Sequence, residues 1–312
     1  MNRSLLVAAF MLLGVAAEAH QMRTGYLDIV QLSAQKMEIG WHSSVPTSLP
    51  RIYLDDDCEF ASPIESVVLT SITCAPNIFG VELKLTGIGA IVSEVLVRAS
   101  FLDGREHTEV ISVDDPRFTV PTEPQSGFAA FLTYTKLGIE HLLQGPDHLL
   151  FLIALFLLVR KPLDLLYTAS LFTVAHSITL ALVVLDIVRL NPRATEACIA
   201  LSLILIANQL LRADFDGNRR ELRSWMAMAF GFGLVHGLGF AGVLDEIGLP
   251  ENAVALALAG FNVGIEIGQL VFLLICLVVA GIVEPLLRLP VLRWAGGYVV
   301  GVMGAFWLLQ RL

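Results

Sequence analysis

Beyond Gly127 the chain is dominated by apolar runs at 137–159, 163–185, 194–211, 225–247, within 252–283, and at 291–310. A helix rises 1.5 Å per residue, so about 20 apolar residues cross a ~30 Å hydrocarbon core. Lipid offers no partner to an unpaired backbone group, which restricts such runs to helices. The expected architecture over 137–312 is therefore an α-helical polytopic membrane bundle of about six spans. Only 16% of the 312 residues are charged and the mean hydropathy is +0.72, as a chain largely dissolved in lipid requires. The run within 252–283 is long for one upright span, which leaves a tilt, a break near Gly260 or a re-entrant piece open.

The first third of the chain reads differently. Residues 1–19 carry Arg3, a short apolar run and then Ala17-Glu18-Ala19, a small-x-small site for signal peptidase. An apolar run of about 13 residues is short for a membrane anchor, so cleavage after Ala19 is expected. Residues 20–122 then form an exported β-rich domain, and 123–136 a linker and pre-helix segment. Alternation of apolar and polar residues predicts strands at 26–32, 36–41, 81–85, 92–101 and 109–113, and a small antiparallel β-sandwich is the natural arrangement.

Between His20 and Gly127 there are fifteen Asp or Glu against seven Lys or Arg, which places −8 of the formal −9 charge in this domain. It repels nucleic acid and attracts cations. Cys58 and Cys74 both fall here, whereas Cys198 and Cys276 fall in apolar runs; in an oxidising compartment a Cys58–Cys74 disulfide is expected. Once the signal is removed, the terminal amine and imidazole of His20 together offer a second place for a divalent ion.

Six spans behind a cleaved signal put both ends of the membrane domain outside a bacterial inner membrane. The basic residues agree: Arg160, Lys161, Arg212, Arg219, Arg220, Arg223, Arg288 and Arg293 fall on the expected cytoplasmic edges, against Arg189, Arg193 and Arg311 outside.

Ionisable residues inside lipid cost about 2.5–3.5 kcal/mol each even on the lenient insertion scale, so they gather where a function needs them. The first run opens with His141-Leu-Leu-Gln-Gly-Pro-Asp147-His148, the second contains His176-Ser177, the fourth His236 and the fifth Asn262-Val-Gly-Ile-Glu266-Ile-Gly-Gln269. His141 and His148 are seven residues apart, so a straight helix sets them about 10 Å apart along its axis. Gly145-Pro146 lies between them, and a proline there removes a backbone donor and kinks the helix, bringing the two imidazoles and Asp147 toward one point.

The estimated depths of His141, Asp147, His148, His176, His236 and Glu266 coincide, which predicts one intramembrane site for a divalent transition metal. Ser177, Asn262 and Gln269 are expected to orient its ligands. Imidazole with carboxylate suits nickel, cobalt or zinc, as well as iron or copper. Glycines crowd the same helices at 231, 233, 237, 239, 296 and 297, and close helix packing is their expected role.

Four stretches, GIEHLLQGPDHLLF (138–151), FTVAHSITLAL (172–182), HGLGFAGVL (236–244) and FNVGIEIGQL (261–270), resemble the HupE/UreJ family, in its longer subgroup with an exported N-terminal domain. The resemblance implies a hydrogenase or urease accessory role, uptake of nickel or cobalt, and a partner in metalloenzyme maturation. Three functions follow: a permease for a divalent metal, an intramembrane metal-dependent hydrolase with Asp147 or Glu266 as general base, and a non-catalytic metallocentre assembly protein. There is no ATP-binding loop, so a permease would draw on a gradient or a partner.

Overall fold

The computed structural model describes residues 24–43, 50–54, 57–60, 69–87, 94–112, 115–122, 126–188, 191–212, 219–247, 253–283 and 289–312. The expected signal peptide and His20 lie outside the described residues. The chain divides into two compact units, Met22–Thr135 with Asp245–Gly260, and Lys136–Leu244 with Phe261–Leu312.

The first unit holds nine strands among the described residues: β1 (Thr24–Gln31), β2 (Lys36–Ser43), β3 (Arg51–Leu54), β4 (Cys58–Phe60), β5 (Leu69–Cys74), β6 (Glu82–Thr86), β7 (Glu94–Ser100), β8 (Glu106–Ser112) and β9 (Arg117–Thr119). Six form one sheet in the order β4-β5-β2-β1-β7-β8, and three form another in the order β3-β6-β9. Leu27, Ile29, Met37, Ile39 and Val97 from the larger sheet share one buried cluster with Ile52, Leu83, Leu85 and Phe118 from the smaller, so the sheets face each other. The alternation that predicts the strands also explains the opposite face, where Asp28 and Arg98 are register partners with Oδ1 and Nε 3.1 Å apart.

One expectation is corrected. The sandwich is not wholly antiparallel, because β1 and β7 pair in parallel. β2 takes one edge of β1 through a hairpin; β7 reaches the other edge only after the chain has crossed to the second sheet and back twice, through β3 and then β6, and it arrives running the same way as β1. Cys58 and Cys74 are cross-strand partners of β4 and β5 and form the expected disulfide.

Among the described residues seven helices follow: α1 (Gly127–Gln144), α2 (Pro146–Leu158), α3 (Pro162–Val184), α4 (Pro192–Arg212), α5 (Arg219–Ile247), α6 (Val254–Val283) and α7 (Leu289–Arg311). Prolines open α2, α3 and α4, where their fixed φ is helical and their missing N–H costs no bond. α3, α4, α6 and α7 are each long and apolar enough to cross a membrane, and α1 with α2 qualify together as one span bent by 72°, giving four or five spans among the described residues. The expected run at 225–247 is helical throughout as part of α5, whose first turn is charged.

Leu270, Leu274, Ile275, Val278 and Ile282 on α6 are exposed, an aliphatic surface that suits lipid and not water. Small residues let the helices approach. A Cβ on Gly237 of α5 would run into the His176 carbonyl and the Thr179 hydroxyl of α3, and one on Gly138 of α1 into the Phe261 carbonyl of α6.

Candidate metal centre

The break between α1 and α2 builds the centre. Gly145 is the residue between them, with φ −81° and ψ 98°, and Pro146 is the first residue of α2. The 72° bend brings the rings of His141 and His148 to 4.8 Å between centroids, half the axial separation of a straight helix. Gly145 is needed for space and not for its dihedrals: a Cβ there would lie 2.5 Å from Nδ1 of His148 and 3.1 Å from Oδ1 of Asp147.

α3 supplies His176, which is wholly buried, with its ring 6.1 Å from that of His141 and 6.3 Å from that of His148. One ligating nitrogen from each of His141, His148 and His176 lies within 4.8 Å of the others, and all three residues are buried. Metal–nitrogen bonds of ~2.0–2.1 Å in a tetrahedral shell put ligand atoms about 3.3 Å apart, a closure of roughly 1.5 Å that rotation of the rings can supply. α5 adds His236, with its ring 5.1 Å from that of His148.

One of the four imidazoles has the tautomer a metal requires, and a second stands beside a carboxylate that can set it. Nδ1 of His236 faces the Phe232 carbonyl at 2.8 Å and so carries the proton, leaving Nε2 as the donor atom. Nδ1 of His148 stands 3.3 Å from Oδ1 of Asp147, which also accepts the His148 backbone N–H at 3.0 Å. A carboxylate on one ring nitrogen fixes the ring and raises the basicity of the other, the usual support of a metal-binding histidine. Both ring nitrogens of His148 and Nε2 of His236 are buried without a hydrogen-bond partner. Such atoms are costly unless something binds them, so the donor set fits a divalent cation. The second oxygen of Asp147, Oδ2, is 4.0 Å from Nε2 of His236, near enough for a small shift to make it a ligand or a bridge.

Phenylalanines close the surroundings. Phe172 packs 5.0 Å from His236 and 5.0 Å from Phe151, and Phe261 lies 5.4 Å from His141. These faces pack against the rings and hold them in place.

The other expected residues are placed differently. Asn262 is near enough to His176 to act on its ring, whose two nitrogens are both buried without a hydrogen-bond partner. Ser177 turns its hydroxyl to the carbonyl of Thr173 at 2.7 Å, a bond along its own helix. Gln269 accepts from the hydroxyl of Thr173 at 3.1 Å, and Glu266 accepts from Ser170. Ser170 and Thr173 were not among the expected residues. Their signal is spacing alone, since with His176 they recur every three residues on one side of α3. In the first unit, His42 faces Asp28 at 3.6 Å and His107 faces Glu109 at 3.5 Å; among the described residues the histidine trio in the helices is the group with metal-ligand spacing.

Comparisons with curated proteins and with solved structures each find no match. The family model described as HupE / UreJ protein matches residues 118–311, from the last strand through every helix and all of the histidine centre. The chain belongs to the HupE/UreJ family.

Proposed function

We propose that the protein is a membrane permease for a divalent transition metal ion, nickel or cobalt, which binds at His141, His148 and His176 with His236 and Asp147 completing the site. The supporting observation is convergence: donor nitrogens from α1, α2 and α3 come within 4.8 Å of one another inside helices whose other faces are aliphatic. Burying that many imidazoles serves no packing purpose that leucine would not serve better. Family membership points to metal handling in the same direction.

In this reading the protein sits in a bacterial inner membrane with the β unit outside, where its acidic surface raises the local cation concentration. Elemental analysis of detergent-purified protein, wild type beside His141→Ala/His148→Ala, tests the site, and nickel uptake into proteoliposomes tests the activity. Bound metal lost in the double variant together with uptake supports a permease. Bound metal without any uptake removes transport and favours the hydrolase or assembly roles, and no bound metal removes the permease and the hydrolase and leaves the assembly role, whose mark is co-purification with a partner.

A further inference from the structure

The histidine centre is not the end of the polar interior. From His176 the polar residues continue along the α3–α6 interface, as Thr173 with Gln269 and then Ser170 with Glu266. Six residues separate His176 from Ser170, about 9 Å along the axis toward the N-terminal end of α3. Burial relaxes along the way. His176 and the Thr173–Gln269 pair are buried, whereas Ser170 and Glu266 are only half-buried. Gln269 is 1% exposed, and its Nε2 has no hydrogen-bond partner. Because a hydroxyl both donates and accepts, this amide can turn over so that Nε2 donates to Thr173 and Oε1 becomes free to bind a cation.

We infer that Glu266, Ser170, Thr173 and Gln269 form a second cation station, distinct from the histidine centre, which receives the ion on its way out toward the N-terminal end of α3. The inference rests on the permease reading above, in whose orientation that end is cytoplasmic. The chemistry suits release. Nickel and cobalt prefer imidazole nitrogen to carboxylate, amide and hydroxyl oxygen, so the ion passes from a tighter to a looser set of ligands. Conduction needs such a sequence, with binding firm enough to admit the ion and a weaker neighbouring site to let it go. A single carboxylate among neutral oxygens gives this station a charge to hold the ion once it leaves the imidazoles and Asp147.

Nickel ions alone serve as the probe, with the full-length protein in detergent for bound nickel per chain and in proteoliposomes for the initial rate of influx. Glu266→Gln keeps the size of the side chain and its bond from Ser170 while removing the charge. Bound nickel at the histidine centre is expected to stay within about twofold of wild type while influx falls about tenfold or more. Glu266→Asp, which keeps the charge one methylene further back, is expected to fall between. Influx unchanged in Glu266→Gln overturns the inference. So does bound nickel lost in step with influx, which would make Glu266 a ligand of the histidine centre itself. Wild-type protein with neither bound nickel nor influx would instead sink the underlying permease reading, and the two failures are thereby told apart.

Discussion

Gly145 stands so close to His148 that a single methyl group on its α-carbon would lie 2.5 Å from the ring nitrogen that faces Asp147. Its dihedrals are ones any residue can adopt, so the demand is for space alone. Gly145→Ala is expected to leave the helices intact but swing the imidazole off its carboxylate, lowering metal affinity by about tenfold. Isothermal titration with nickel beside a thermal melt checks this, since the melt should change little while the binding isotherm weakens.

Asp147 accepts the His148 backbone N–H, stands 3.3 Å from its ring nitrogen and leans toward His236. Asp147→Asn keeps the shape but loses the charge, and loss of such a supporting carboxylate costs roughly 10–100-fold in metal affinity. The measurement is bound nickel at a series of free concentrations. An affinity equal to wild type would show that the carboxylate neither ligates nor orients.

Gly237→Val inserts a branched side chain between α3 and α5, against the His176 carbonyl and the Thr179 hydroxyl. Overpacking of this kind costs about 1–3 kcal/mol, and here it also moves His236 away from His148. A lowered melting temperature in detergent together with weaker metal binding is the expected outcome.

The disulfide closes a loop across β4 and β5 with a sequence separation of 16. A loop of that length contributes about 3 kcal/mol by restricting the unfolded chain. Cys58→Ser/Cys74→Ser should therefore destabilise the β unit by roughly that amount in denaturant titration. Nickel binding at the helical centre, which shares no residue with the bridge, should be unchanged.

What the sequence showed and what it hid divide along physical lines. Strands β1, β2, β6, β7 and β8 and the long helices were legible, except for the first ten residues of α1, which fall in the expected linker and pre-helix segment, because alternation and apolar run length are imposed by the solvent on each side. The kink at Gly145-Pro146 was legible because proline acts on its own backbone. Strands β3, β4 and β9 were not, since three or four residues carry too little pattern, nor was β5, whose Leu-Thr-Ser-Ile-Thr-Cys run does not alternate, and the parallel pairing of β1 with β7 is a matter of chain path.

The site shows the same division. Histidines in lipid announce themselves by their cost. Ser170 and Thr173 do not, since a helical hydroxyl can always bond its own backbone. Glu266 was expected beside the histidines on a depth estimate, and its bond with Ser170 depends on how α6 is rotated, which depth does not determine.

α6 has two incompatible sides. Asn262, Glu266 and Gln269 follow one another at intervals of four and three residues, and Val263, Ile267, Leu270 and Leu274 form an exposed aliphatic row about a quarter turn away. Rolling this helix about its axis would swing a carboxylate into hydrocarbon and a row of aliphatics into the polar seam at the same time. In the permease reading, an α6 that moves would therefore tilt or slide and not roll, with the close contact between Gly138 and the Phe261 carbonyl as its bearing.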